Sequence, residues 1–195
     1  VKTEVKVGDL EKSFDILLKG NHPTILSSDL IPDLFKQYEY NIMEYKSAHD
    51  TYNMYDILKL NGDFSYFSYN NHFNLNYAFK KSCLWFIVAN RNPFNNLRME
   101  NGIVPDPECN TPGYYFLPSS NPHIRVIVLD ELDILLKSHT FLLFFASAKK
   151  FGSFAKVLVK DDDLLNELKK YINAKLLIEG KDVSEMEDVD TLKEK

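Results

Sequence analysis

Residues 123–133 have the sequence His-Ile-Arg-Val-Ile-Val-Leu-Asp-Glu-Leu-Asp. The apolar, largely β-branched run over 125–129 predicts a buried strand, and the acids Asp130 and Glu131 follow at its end. A strand that ends in carboxylates at the edge of a parallel sheet can hold a metal ion and orient an attacking water. A core strand that merely ends in solvated acids has the same pattern. The stretch therefore predicts an α/β fold and leaves its chemistry open.

Helices and strands alternate on both sides of this strand. After it we expect a helix over 133–148, a strand over 155–159, a helix over 164–172 and a strand over 174–178. Before it we expect helices over 10–18 and 29–46, and strands over 24–26 and 55–60, the second ended by the turn pair Asn61-Gly62. Segment 84–88 fits a strand or a buried helix. This alternation predicts a parallel, doubly wound sheet.

The length of 195 residues, of which 45% are hydrophobic, predicts a single domain over 1–195. Six prolines between residues 92 and 122 predict an irregular insertion there. The last 17 residues contain seven acids and three lysines, which predicts an acidic tail over about 179–195.

Composition excludes several classes of protein. The longest apolar runs, 83–89 and 141–146, are far shorter than the roughly 20 residues that cross a bilayer, and the charged N-terminus does not have the pattern of a signal peptide. The two cysteines, Cys83 and Cys109, form no zinc pattern, which favours free thiols in the cytosol or nucleus. A net charge of −5 makes direct DNA binding by this domain unexpected and favours a basic protein partner.

The segment Leu129–Asp133 closely resembles the Walker B motif of AAA+ proteins in the origin recognition complex and related initiators. Residues 138–159 look like the next helix and the sensor-1 strand of that family, 55–62 resembles its second strand, and 164–177 is similar to its last helix and strand. The resemblance implies an AAA+ base-like fold with strand order 5-1-4-3-2 and no lid domain.

The sequence departs from the family where nucleotide would bind. A P-loop needs glycines and a lysine so that backbone amides and an ammonium can surround the phosphates, whereas Ser27, Ser28 and Asp29 stand there. Asp29 would repel phosphate. The sensor position holds Lys160 in place of the usual Asn, and no arginine finger is visible. We therefore expect a degenerate P-loop and Walker B, no ATP binding, no cofactor, no metal, no catalytic residues and no enzyme activity.

Within the family, the resemblance is closest to the silencing branch, which keeps the fold and has lost ATP hydrolysis. It implies a nuclear, chromatin-associated scaffold that binds a histone tail or other basic segment, and silencing or origin-recognition proteins. If 155–159 is a strand beside 125–129, acids at the ends of both strands converge on one edge. The expected partner surface consists of Asp130, Glu131, Asp133, Asp161, Asp162 and Asp163.

Three alternatives remain. The chain could be a structural origin recognition subunit in DNA replication, an enzyme that uses Asp130 and Glu131 with a metal, or an unrelated α/β interaction module. Other candidate sites are weaker. The five histidines lack metal-ligand spacing, Cys83 has the surroundings of an inert core thiol, and the aromatic cluster over 64–73 favours packing or a partner surface over nucleobase stacking.

Overall fold

A computed structural model of the chain describes residues 2–6, 13–19, 30–166 and 168, which form one mixed sheet with helices on both faces. The strands are β1 (Lys2–Lys6), β2 (Ser13–Lys19), β3 (Tyr40–Lys46), β4 (Ser82–Val88), β5 (Val104–Pro105), β6 (Tyr114–Leu117) and β7 (His123–Val128). The α-helices are α1 (Asp33–Lys36), α2 (Met54–Asn70), α3 (Leu75–Lys81), α4 (Arg91–Asn101), α5 (Thr140–Leu143) and α6 (Ala148–Leu158). The α/β class is as the sequence predicts.

The seven strands lie in the order β1-β2-β3-β4-β7-β6-β5. The central strands β3, β4 and β7 are parallel, and helices connect them. Both flanks are antiparallel: β1 and β2 continue from β3, while β6 and β5 continue from β7. The sheet is therefore parallel only at its centre, and its order differs from 5-1-4-3-2.

The central strands are buried on both faces because helices cover each side, as is usual for parallel strands. Every residue of β4 is buried, so alternate side chains of this strand enter two different cores. One core contains Cys83, Trp85 and Ile87 with residues of α1, α5 and α6. The other contains Leu84, Phe86 and Val88 with residues of α2, α3 and α4.

Helix α2 covers the segment 55–60, for which a strand was expected, so that prediction is wrong. The side chain of Asn53 accepts a hydrogen bond from the backbone of Tyr55, and the carboxylate of Asp56 accepts one from the backbone of Asn53. This reciprocal arrangement satisfies the free amides of the first turn. Buried residues then recur at helical spacing, at Ile57, Leu60, Phe64 and Phe67. The pair Asn61-Gly62 lies inside the helix and makes no turn.

Helix α6 covers most of the segment 155–159, for which a strand was also expected. Ser147 begins the helix, because its hydroxyl accepts a hydrogen bond from the backbone of Lys150. Phe151, Phe154 and Leu158 are buried at spacings of three and four residues, which a strand could not place on one face. The sensor-1 strand of the family resemblance therefore has no counterpart at this position.

Two predicted helices in the N-terminal part are mainly strands. Within the described residues 30–46, the α-helix α1 covers only Asp33–Lys36, and Tyr40–Lys46 forms β3 after the chain turns. The segment 10–18 overlaps β2, which pairs with β1 on one side and β3 on the other. Apolar residues at helical spacing were misleading here, because pairing with two neighbours outweighs local propensity.

The proline-rich segment 92–122 is ordered. Pro93 lies in the first turn of α4, where a missing amide hydrogen removes no helical hydrogen bond. The hairpin β5–β6 follows, and Arg125 of β7 fixes the loop between its strands through Asp106 (2.6 Å) and Glu108 (2.5 Å). The insertion thus belongs to the sheet.

The remaining predictions have mixed outcomes. The strand over 125–129 is confirmed as β7, whereas the helix over 133–148 is reduced to a 3₁₀ turn over Lys137–His139 and the four residues of α5. Residues 162–166 are helical, in agreement with the start of the helix expected over 164–172. The predictions for 24–26, 174–178 and 179–195 lie outside the described residues.

Candidate functional site

The carboxyl ends of β3, β4 and β7 form one edge of the sheet, which we call the carboxyl edge. Open α/β sheets usually bind ligands at such an edge. The strands end at Lys46, Val88 and Val128. The loops that follow are tied together: Asn90 Nδ2 donates to the carbonyl oxygen of Ala48 (3.0 Å). The edge is therefore a defined surface.

Glu131, at this edge, is held inside the protein. Its Oε2 accepts a hydrogen bond from the hydroxyl of Tyr115 (2.6 Å), and its Oε1 forms an ion pair with Arg91 Nε (3.0 Å). The pKa of Tyr115 is raised, mainly by burial and further by this carboxylate. The charge of Glu131 is therefore used to join β6, α4 and the turn after β7, as expected for a structural acid.

Asp130 and Asp133 are exposed on the turn that follows β7. The carboxylate of Asp130 accepts a long hydrogen bond from the hydroxyl of Ser147 (3.5 Å) at the start of α6. That of Asp133 accepts one from the backbone of Leu135 (2.9 Å). Neither acid takes part in an ion pair among the described residues.

The same turn exposes two leucines. Leu135 is 71% exposed and Leu136 is 40% exposed. The turn is nevertheless anchored, because Leu132 is buried and the ring of His139 makes a 2.8 Å hydrogen bond through Nδ1 with the carbonyl oxygen of Asp133. We call Asp130, Asp133, Leu135 and Leu136 the acidic–leucine turn. The ammonium of Lys150 also touches this turn, donating to the carbonyl oxygen of Asp130 (3.0 Å), so the turn combines two acids, one neighbouring lysine and apolar surface on a fixed backbone.

Asp161, Asp162 and Asp163 do not join this surface, which corrects the prediction of a single acidic edge. They follow the C-terminus of α6, whereas Asp130 lies beside its N-terminus. An eleven-residue helix is about 16 Å long, so the two groups of acids are far apart. The backbone of Leu164 donates to the Asp161 carboxylate (3.0 Å), so Asp161 caps the helical residues 162–166. The error follows from the strand expected over 155–159.

A second charged cluster lies at the end of β3, and the sequence analysis missed it. Lys46 Nζ is 3.0 Å from Glu44 Oε1 and 3.4 Å from Asp56 Oδ1, and all three side chains are largely buried. Burial lowers the pKa of Lys46, but the hydrogen bond with Glu44 and the charges of both acids outweigh it, so the pKa is raised. Lys46 is therefore firmly cationic.

The backbone of β2 runs antiparallel beside β3. Ile16 of β2 pairs with Met43 of β3, and the next residues along the two antiparallel strands are Asp15 and Glu44. Glu44 and Lys46 are two residues apart on a strand, so they share a face. This two-residue spacing was the available signal. It was hidden because 29–46 was predicted to be a helix, which would place the two side chains on different faces.

The remaining candidate features of the sequence are the P-loop position, metal ligands and Cys83. Ser27, Ser28 and Asp29, the degenerate P-loop, lie outside the described residues. Among the residues that the structure describes, no three His, Cys, Asp or Glu side chains are grouped so that they could hold a metal ion. Burial raises the pKa of the Cys83 thiol to about 12, although Arg125 partly offsets this. In the same described ranges, no helix has the length and apolar character needed to span a membrane.

Comparison with known proteins gives no neighbour: no family model, no curated protein and no solved structure matches the chain.

Proposed function

We propose that the chain is a non-catalytic interaction domain that binds a basic protein segment through the acidic–leucine turn. The observation that carries this proposal is the combination of two exposed acids, Asp130 and Asp133, with two exposed leucines on an anchored turn. Exposed apolar residues beside unpaired charges are typical of a protein interaction site. A ligand segment with lysines and one apolar side chain complements both features.

The expected affinity is modest. Exposed ion pairs are worth about 0.2–1 kcal/mol each, and full burial of one leucine contributes about 1.5–3 kcal/mol. Two ion pairs and one leucine therefore give weak binding that salt reduces. A histone tail is the partner that the family resemblance suggests, in a nuclear silencing scaffold. A structural role in origin recognition remains the alternative within the same family.

The test is a titration of a lysine-rich, leucine-containing histone tail peptide at low and physiological salt. The variant Asp130→Asn/Asp133→Asn should weaken binding about 2- to 30-fold, and Leu135→Ser should also weaken it. Asp161→Asn/Asp162→Asn/Asp163→Asn is the matched control, because it removes acids at the far end of α6, and it should change little. Binding that ignores salt and the Asp130/Asp133 variant would exclude this turn as the site.

Glu131→Gln separates the scaffold from an ATPase. Because Glu131 is occupied by Tyr115 and Arg91, the variant should leave peptide binding unchanged and lower stability slightly. In an active ATPase, this acid would polarise the attacking water and its loss would stop turnover.

The AAA+ ancestry is a separate proposal that rests on the Leu129–Asp133 motif. Two observations weigh against it: β6 is antiparallel to β7, and the segments 55–60 and 155–159 are helical. Calorimetry with ATP and magnesium tests the nucleotide part, and no heat is expected. A micromolar dissociation constant would restore the ATPase interpretation.

A second candidate function is metal-assisted phosphodiester hydrolysis at the end of β3. The specific observation is the cluster of Glu44, Lys46 and Asp56 at the end of β3. Mg²⁺ is commonly held by one or two carboxylates together with water and substrate phosphates, so Glu44 and Asp56 would supply its protein ligands, and the ammonium of Lys46 would stabilise the charge that develops on phosphate. These partly buried ion pairs also have a structural role, because they tie the start of α2 to β3.

The test is cleavage of labelled single- and double-stranded nucleic acid with Mn²⁺, with Mg²⁺ and with a chelator. Glu44→Gln and Lys46→Met should each abolish metal-dependent cleavage. Lys36→Met is the matched control, because Lys36 forms an exposed ion pair with Asp33 in α1. Absence of cleavage under every metal condition would reduce this cluster to a structural role.

A further inference from the structure

The junction between α2 and α3 presents aromatic rings and lysines to solvent. Tyr69, in the last turn of α2, is 75% exposed, and Tyr77 of α3 is 43% exposed. Lys80 and Lys81 at the end of α3 are also exposed. Tyr77 is three and four residues before the lysines, so the three side chains share one side of the helix. We call these four residues the tyrosine–lysine patch.

Tyr69 lies outside the core, and Tyr77 is partly exposed, with its hydroxyl bound to Glu39. The aromatic residues that pack inward here are Phe64 and Phe67, which are 0% and 7% exposed. Phe73 closes the junction, with its ring 5.9 Å from Phe67 and 5.3 Å from Tyr40. The aromatic cluster seen in the sequence is thus divided: its phenylalanines form the core and Tyr69 remains outside. Tyr69 and Tyr77 are exposed on the consecutive helices α2 and α3, eight residues apart in the chain, which makes this junction a candidate binding surface.

The local charge of this patch is opposite to that of the whole chain. No acid occurs between residues 64 and 81, and within the described part of the chain Glu39 contacts the patch, accepting a hydrogen bond from the hydroxyl of Tyr77 (2.5 Å). Two lysines against one glutamate leave a positive balance. The net charge of −5 is carried elsewhere.

The tyrosine–lysine patch lies far from the acids of the carboxyl edge. Helix α3 leads directly into the start of β4, whereas Asp130 and its neighbours lie at the carboxyl ends of the parallel strands. Seven residues of β4 span about 23 Å, which is roughly two Debye lengths at 0.1 M salt. The lysines therefore act on a ligand almost independently of the acids.

We propose that the tyrosine–lysine patch binds single-stranded nucleic acid. Unpaired bases would stack on Tyr69 and Tyr77, and Lys80 and Lys81 would neutralise two backbone phosphates. Single strands are favoured over duplex because only unpaired bases expose their faces for stacking. The proposal reverses the expectation from net charge alone. It stands apart from the proposed peptide site, which lies at the opposite edge of the sheet.

The test is fluorescence polarisation of labelled oligo-dT and oligo-U with the whole chain at about 50 and 200 mM salt. Neutralising two phosphates of a single strand gives a log–log salt slope of about −1.4, so binding should weaken about sevenfold between these concentrations. Tyr69→Ala should weaken binding at least about fivefold, whereas Tyr69→Phe should retain it. Lys80→Gln/Lys81→Gln should bring the slope of log affinity against log salt concentration close to zero.

The control is Tyr55→Ala, because Tyr55 is an equally exposed tyrosine (81%) at the other end of α2. It should leave the affinity unchanged. Circular dichroism of each variant checks that it folds, and an exposed ring such as Tyr69 can be removed without opening a cavity. The proposal fails if about 100 µM protein does not bind at low salt, or if polyglutamate binds as tightly as oligo-dT. It also fails if Tyr69→Ala and Tyr55→Ala behave alike.

Discussion

Replacing Arg125 with methionine should destabilise the protein by about 3–5 kcal/mol. The guanidinium is 1% exposed, and its Nε lies 2.6 Å from Oδ2 of Asp106, which is also buried. It also donates to the hydroxyl of Tyr38 (2.5 Å) and pairs with Glu108 (2.5 Å). Methionine has a similar length and no charge, so the variant removes every one of these contacts and opens little space.

The magnitude depends on which partner is left behind. Glu108 is half exposed and can be solvated after the substitution, and the Tyr38 hydroxyl is only partly buried. The carboxylate of Asp106 keeps only the backbone amide of Glu108, at 2.9 Å, in a site with 0% side-chain exposure. An uncompensated buried charge accounts for most of the loss. An exposed pair such as Lys36–Asp33 is worth at most about 1 kcal/mol.

Urea denaturation of four proteins tests this reasoning: the wild type, Arg125→Met, Arg125→Met/Asp106→Asn and the control Lys36→Met. Asparagine removes the buried charge of Asp106 and keeps an oxygen for the amide of Glu108. The double variant should therefore recover at least about 1 kcal/mol relative to Arg125→Met. An uncompensated Asp106 charge is refuted as the cause if Arg125→Met loses no more stability than Lys36→Met, or if Asp106→Asn adds to the loss.

Three further outcomes are expected. Gly113→Ala should destabilise by about 1–3 kcal/mol in urea, because Gly113 has φ +92° and an added Cβ would lie 2.9 Å from the carbonyl oxygen of Val128. Burial lowers the pKa of His139, so as the pH falls the imidazole is protonated in the unfolded chain before it is protonated in the folded protein. The free energy of unfolding should therefore decrease below about pH 6.5, and His139→Gln should reduce this dependence on pH. Cys109 should react with a thiol reagent at pH 8 before Cys83, whose pKa of about 12 leaves it almost entirely protonated; equal rates would contradict its burial.

The fold was predictable where local and long-range signals agree. The run over 125–129 is largely apolar and β-branched and is followed by acids, and it lies in β7, one of the central strands. The residues of segment 55–60 alone fit a strand or a helix. The helix could nevertheless be recognised from the sequence, because Asn53 and Asp56 form a capping box and apolar residues recur at helical spacing up to Phe67. Strand β2 could not be recognised in the same way, because it is stabilised by pairing with β1 and β3, and local residue spacing does not reveal that pairing.

The candidate site, like the fold, could be predicted from the sequence only in part. Asp130 and Glu131 do lie at the end of a central strand, as expected, but Glu131 accepts a hydrogen bond from Tyr115 of the insertion, 16 residues away, and pairs with Arg91. The grouping of Asp161 with Asp130 was wrong because it depended on a strand that is α6. The Glu44–Lys46 pair was missed for the converse reason, since only a strand places residues two apart on one face.

The two candidate sites on the carboxyl edge can be tested independently of each other. β4 separates β3 from β7, so their backbones are about 10 Å apart. A unit charge removed at that distance changes the energy of another by about 0.4 kcal/mol in water, before salt screening reduces it further. Glu44→Gln should therefore change the affinity for a basic peptide by less than about twofold, while abolishing any metal-dependent cleavage. Asp130→Asn/Asp133→Asn should do the reverse. If one variant removes both activities while the fold is intact, the carboxyl edge works as a single site and the separation argued from charge and distance is wrong.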